Sequence, residues 1–213
     1  MRVTSLSATQ YYLEFLLTKG GGRYRAEATS TGTGDILEFG SVSGAYTFDV
    51  IGRVPSLTTG ADSIVVYNLG PGFTGADAYQ SAGNNRRLVT AVSGNTITLS
   101  PATVFPRESP GSRFQVMETV VSYVCTANPS NPALGELRRY WGYNIQSSQP
   151  TAFTGGSNAQ LAKDVTGCLF TYTPNAVAQR NGVVLLSLTL TQAAPGGNES
   201  VTLFQEAHVS NVP

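Results

Sequence analysis

Two cysteines, one histidine and thirteen carboxylates are the groups in this chain with covalent, metal or acid–base chemistry to offer. Cys125 lies in "SYVCTAN" and Cys168 in "GCLFTY". They are far apart in sequence, so a C-x-x-C redox motif is excluded. A His/Cys metal cage has one histidine and two cysteines to draw on, none at ligand spacing. Each cysteine sits inside an apolar strand pattern. The residues therefore leave two readings open. The thiols are buried and free, or they form a disulfide closing a loop of roughly 43 residues, worth about 4 kcal/mol in the chain-entropy model. A disulfide would place the chain outside the reducing cytosol.

The other reactive groups give less. His208 is the sole histidine, and alternation puts it on a strand face with Glu206 and Thr202. No G-x-S-x-G accompanies it, so it reads as a solvated strand residue. Acids are scattered at Glu14, Glu27, Asp35, Glu38, Asp49, Asp62 and Asp77. Two of them meeting across strands would suit glycoside hydrolysis, but no spacing marks a pair. "GPGFTG" at Gly70 to Gly75 matches G-x-G-x-x-G. A dinucleotide site needs an amphipathic helix next, and "ADAYQSAGNNRR" has no apolar stripe, so the stretch reads as a loop. In "YWGY", Tyr140, Trp141 and Tyr143 are candidate ligand or partner contacts, as a sugar-stacking platform would need. Aromatics on a strand are more often core.

The elements that must position these groups are strands. The chain has 213 residues, only 12% of them charged, and formal net charge zero. Nothing in that balance draws nucleic acid, which requires a basic excess. Period-two alternation runs through "YYLEFLL", "YTFDVIGRV", "DSIVVYNLG", "RFQVMETVVSYVCT" and "ELRRYWGYNI". Gly20, Gly21 and Gly22 read as a turn into a returning strand at Tyr24, Ala26 and Ala28, and "DILEFG" as a further strand. "RRLVTAVSGNTITLS" reads as a hairpin about Ser93-Gly94-Asn95, and "GVVLLSLTLT" with "ESVTLFQEAHV" as another closed by "APGG". The predicted helix is "SNAQLAKDV", capped at Ser157 or Asn158. Gly70 to Arg87 and "TANPSNPALG" read as loops. No linker, repeat, signal peptide or membrane-spanning run is visible, and the whole of 1–213 reads as one domain.

From "YVCTAN" onward the chain resembles minor pilins of the PilW/MshO type. The stretches that carry the likeness are "RFQVMETVVSYVC", "LRRYWGYNI", "LAKDVTGCLFTY", "RNGVVLLSLTLT" and "ESVTLFQEAHVSNVP". Upstream, "YYLEFLLTKGGGRYRAEATSTGTGDILEF" and "DSIVVYNLG" fit the same family, so the likeness covers nearly the whole chain. Members open with a basic leader, a peptidase site and a long apolar helix. This chain opens at "MRVTSL", where members are already past that helix. The resemblance therefore implies a pilin head without its N-terminal helix.

It implies more. Members are exported, so Cys125 and Cys168 are expected to form a structural disulfide. The fold is expected to be mainly β, a pilin-like α+β head with antiparallel sheets and one short helix near 158–165, related to J-type minor pseudopilin heads. The function is structural: priming and assembly of a type IV (MSHA-like) pilus, at its tip or along its shaft, with no catalytic residue, cofactor or metal. Partners are other minor and major pilins, and the inner membrane through the missing helix. The location is the periplasmic side of the inner membrane, the extracellular pilus, or both. The alternative is a ligand- or carbohydrate-binding adhesive β-domain, marked by glycan stacking on Tyr140, Trp141 or Tyr143. A hydrolase with an unmarked carboxylate pair is a third reading.

Overall fold

A computed structural model describes residues 1–40, 47–80, 85–174 and 181–210. In chain order its strands are β1 (Arg2–Ser7), β2 (Gln10–Tyr24), β3 (Thr47–Ile51), β4 (Ser63–Val65), β5 (Arg86–Ser93) and β6 (Thr96–Ser100). There follow β7 (Arg113–Thr126), β8 (Glu136–Trp141), β9 (Ser157–Lys163), β10 (Val165–Pro174), β11 (Asn181–Ala194) and β12 (Gly197–Ser210). The fold is mainly β, and its strand pairs are antiparallel.

The chain divides into two compact units, Met1–Phe15 with Val120–Val212 and Leu16–Thr119. The division carries no linker: it falls inside β2 and inside β7.

In the unit Leu16–Thr119, strands follow the hydrogen-bonded order β2-β3-β6-β5-β4-β7, and β2 also pairs β7. Among the described residues the sheet thus closes on itself as a six-stranded barrel, and closure is how a sheet removes its open edges. At the seam Tyr24 N donates to Ser112 O at 2.8 Å. Phe48, Ile64, Val66, Val89, Ile97, Phe105 and Val116 fill the interior. The expected turn at Gly20–Gly22 is not there. β2 runs straight through the three glycines, none of which has positive φ. A Cβ on Gly21 would lie 2.6 Å from Phe114 O, and one on Gly22 2.7 Å from the Phe114 ring. These glycines serve close strand approach rather than turning. "DILEFG" forms no strand either: Leu37 joins the core and Phe39 makes a single bridge with Phe105. The hairpin β5–β6 turns where expected, with Gly94 at φ 59°.

In the other unit, one antiparallel layer contains β1 paired to β2, β7 paired to β8, and β8 paired to β9. A second layer is β10-β11-β12. Leu13 and Cys125 of the first layer meet Val165, Phe170 and Val184 of the second in one apolar core. The predicted helix near 158–165 is corrected to strand. Ser157 pairs Trp141 and Lys163 pairs Glu136, so "SNAQLAK" is β9. Its amphipathic stripe was only Leu161 and Val165, too little to outweigh the backbone partners offered by β8. Arg138 and Glu136 also hold Asn158 and Gln160 by side-chain hydrogen bonds. Among the described residues the one helical element is a 3-10 turn at Pro132–Leu134, so the helical part of an α+β head has no counterpart there.

Candidate functional site

Cys125 comes from the C-terminal end of β7 and points, with Tyr123, into the core between the layers. Cys168 comes from β10 and points back, on the same face as Phe170. The two are joined as a disulfide, with Cα atoms 6.6 Å apart and a sequence separation of 43. The bond therefore ties one layer of the sandwich to the other. That answers the question left open by residue types alone, and it agrees with the pairing implied by the family resemblance.

The opposite face of the first layer holds a buried polar cluster. In "YYLEFLL", Leu13 faces the apolar core, so Glu14 must face away from it. Glu14 is nevertheless fully buried. Its Oε1 accepts from Arg2 Nη2 at 2.6 Å, and Tyr143 donates its hydroxyl to Oε2 at 3.0 Å. The Ser122 hydroxyl lies 2.7 Å from the Tyr143 oxygen. The single phenolic hydrogen is committed to Glu14, so Ser122 is the donor there. Arg2 also donates to the carbonyls of Gln146, Ser147 and Ser148, and Thr4 to Gln149 Oε1. The segment after β8 is thus drawn across this face and shields the carboxylate. Burial pushes the Glu14 carboxyl above its ordinary 4.5, outweighing the Arg2 charge that pulls it down. Burial likewise pushes Tyr143 well above the usual phenol range. With no exposed surface, Glu14 cannot touch a substrate in this conformation; its chemistry is to bind β1, β2 and the 143–149 segment together.

The three aromatics of "YWGY" do not form one platform. Tyr140 stacks on Phe153 at 4.2 Å between ring centroids. Tyr143 is buried, with Phe153 edge-on at 5.0 Å. Trp141 carries the Arg139 guanidinium over its ring, 5.1 Å from the centroid.

The remaining groups are dispersed. His208 is exposed and faces Glu206 across 3.3 Å, the strand face assigned from alternation. In the G-x-G-x-x-G loop the amide of Gly72 goes to the Asp77 carboxylate, as does that of Tyr79. The chain's own acid takes the donors a phosphate would need. Asp62 pairs with Lys19, and Asp49 accepts from Thr96 and Arg25. Among the described residues no three His, Cys, Asp or Glu side chains converge to hold a metal. No helix there is long and apolar enough to cross a membrane.

One concavity in the sandwich unit is apolar. Tyr123, Leu137 and Leu161 line it from the first layer, and Phe170, Leu188 and Leu203 from the second. Its volume is about 360 Å³. Leucines at alternate positions of β11 were legible in sequence as one face of a strand. That this face is left partly uncovered was not.

Compared with known proteins, the chain matches no family model, no curated protein and no solved structure.

Proposed function

We propose that this chain is the globular head of a minor pilin, a structural subunit that takes part in priming and assembling a type IV pilus of the MSHA kind. The observation that carries the reading is the Cys125–Cys168 disulfide. It joins two stretches on which the family resemblance rests, "SYVC" and "GCLFTY", in the pairing the resemblance implies. A bond buried between sandwich layers suits a protein that works beyond the reducing cytosol. The apolar concavity supports the reading further. In a pilin an apolar helix lies along the head, and Met1 and Val3 pack against the same core that lines the concavity. In this reading the subunit acts through contacts with minor and major pilins, held near them by a membrane anchor, and carries out no catalytic step. Head contacts alone would be weak, and tethering supplies the effective concentration that completes assembly.

The test is in-cell photo-crosslinking. A photoreactive residue replacing Leu161, in the wall of the concavity, should yield adducts with pilin subunits in piliated cells. Adducts confined to proteins unrelated to the pilus would overturn the reading.

A further inference from the structure

The second layer of the sandwich unit ends on β12. Among the described residues β11 occupies one edge of β12 and no strand occupies the other. Its register with β11 runs from Asn181↔Ser210 to Ala194↔Gly197 without a bulge. Val201, Leu203 and Phe204 are 56%, 55% and 66% exposed. A flat, long, apolar edge is one that soluble proteins ordinarily block with Lys, Pro, bulges or a covering segment. β12 carries no Lys, Arg or Pro.

Three other strands in this unit have an unpaired side among the described residues, and each differs from β12. β1 is six residues long with a register shift between Ser5 and Ser7. β10 has a shift between Val165 and Gly167 and ends at Pro174. β9 carries Lys163, and its Asn158 and Gln160 are tied to Arg138 and Glu136. β12 stands out as the edge left unprotected.

Its chemistry specifies the occupant. The outer N–H and C=O groups of a strand are satisfied in full by another strand; a helix would leave them unpaired. On the inward face Leu203, opposite Leu188, forms part of the apolar concavity. On the outward face stand Phe204 and Glu206, with His208 beside Glu206, while Glu199, nearer the hairpin end, shares the inward face with Leu203 by alternation. The strand thus offers two carboxylates and no Lys or Arg. A second β12 would add two more carboxylates without a compensating cation, whereas a basic strand would complement them.

We propose that β12 is a docking edge for an extended segment of another polypeptide, in which apolar residues alternate with Lys or Arg. The segment adds as a fourth strand to β10-β11-β12. Its apolar residues extend the Leu203 wall over the concavity. Its cations lie beside Glu206, their aliphatic stems on Phe204. The proposal goes beyond the pilin reading and rests on the strand edge alone.

The test is amide hydrogen exchange on the intact chain, with a short synthetic peptide of alternating valine and lysine as the probe. The alternate amides of β12 that point away from β11 should slow by about tenfold or more when the peptide is added. Glu206→Lys, at an exposed position, should weaken peptide binding by up to about fivefold. Unchanged exchange at saturating peptide would overturn the proposal. So would equal protection by a helical peptide of the same composition, or slowing that needs no peptide and grows with protein concentration, which would mark a second copy as the occupant. Loss of pili on gene deletion together with unchanged β12 exchange would sink the docking edge and leave the pilin reading standing.

Discussion

Tyr143 donates its hydroxyl to Glu14 at 3.0 Å, across 129 residues of sequence. The bond places a tyrosine from the segment after β8 over a carboxylate in the N-terminal third of β2. Together with Arg2 it makes a charged group tolerable where no water reaches. Breaking such a pair by removing one partner costs more than the pair contributes, because the other is left buried and unsatisfied. Tyr143→Phe should therefore lower unfolding stability by about 1.5–3 kcal/mol. It should also raise the Glu14 carboxyl further, since one bond to the charged form is lost. Urea unfolding and carboxyl-labelled NMR check the two effects separately.

The pH dependence follows from the same group. The folded-state value of Glu14 lies above its ordinary 4.5, so the folded chain holds the extra proton between the two. Stability linked to Glu14 is greatest below the unfolded value and is lost as pH rises through the folded one. Glu14→Gln should flatten that segment of the stability–pH curve. An unchanged slope in the variant would show that Glu14 titrates normally.

Reduction of the disulfide should destabilise the fold by about 4 kcal/mol, given the loop it closes. For a chain of this size that is a fall in melting temperature of about 10 °C. Calorimetry with and without reductant measures it, and alkylation should find two thiols only after reduction.

The position of Gly21 is set by the barrel seam. An added methyl would meet Phe114 O at 2.6 Å, and a backbone atom cannot swing aside as a side-chain tip can. Gly21→Ala should cost about 3 kcal/mol, at the upper end of overpacking effects. A change near zero would mean β2 and β7 can separate there without loss.

His208 stands at the other extreme. Its side chain is 77% exposed, with Glu206 as its neighbour. His208→Ala should leave stability within about 0.5 kcal/mol of the parent. A larger loss would place His208 in a buried contact.

Strands were legible wherever apolar and polar residues alternate along the chain, as in β11, β12 and the β5–β6 hairpin. Where a strand is buried on both faces, the signal blurs. Tyr12 and Glu14 are buried opposite Leu13, so "YYLEFLL" records two interiors at once. The one available sign of the polar cluster was a single acid inside an apolar run, and its partners Arg2, Ser122 and Tyr143 come from distant segments. The Gly20–Gly22 run misled because glycine serves positive φ and close approach equally, and only the position of Phe114 decides between them. β9 misled for a different reason: Ser157 and Asn158 suit a helix cap, but their partners on β8 are not local. The pairing of Cys125 with Cys168 followed from the family resemblance, and the two β-layers bring it about.

The central claim is that this chain serves pilus assembly as a structural subunit. Its most direct measurement is the number of surface pili per cell, counted by electron microscopy after deletion of the gene and again after its restoration. The account predicts that pili are lost or sharply reduced on deletion and return with the intact gene. Normal piliation in the deleted cells would contradict it.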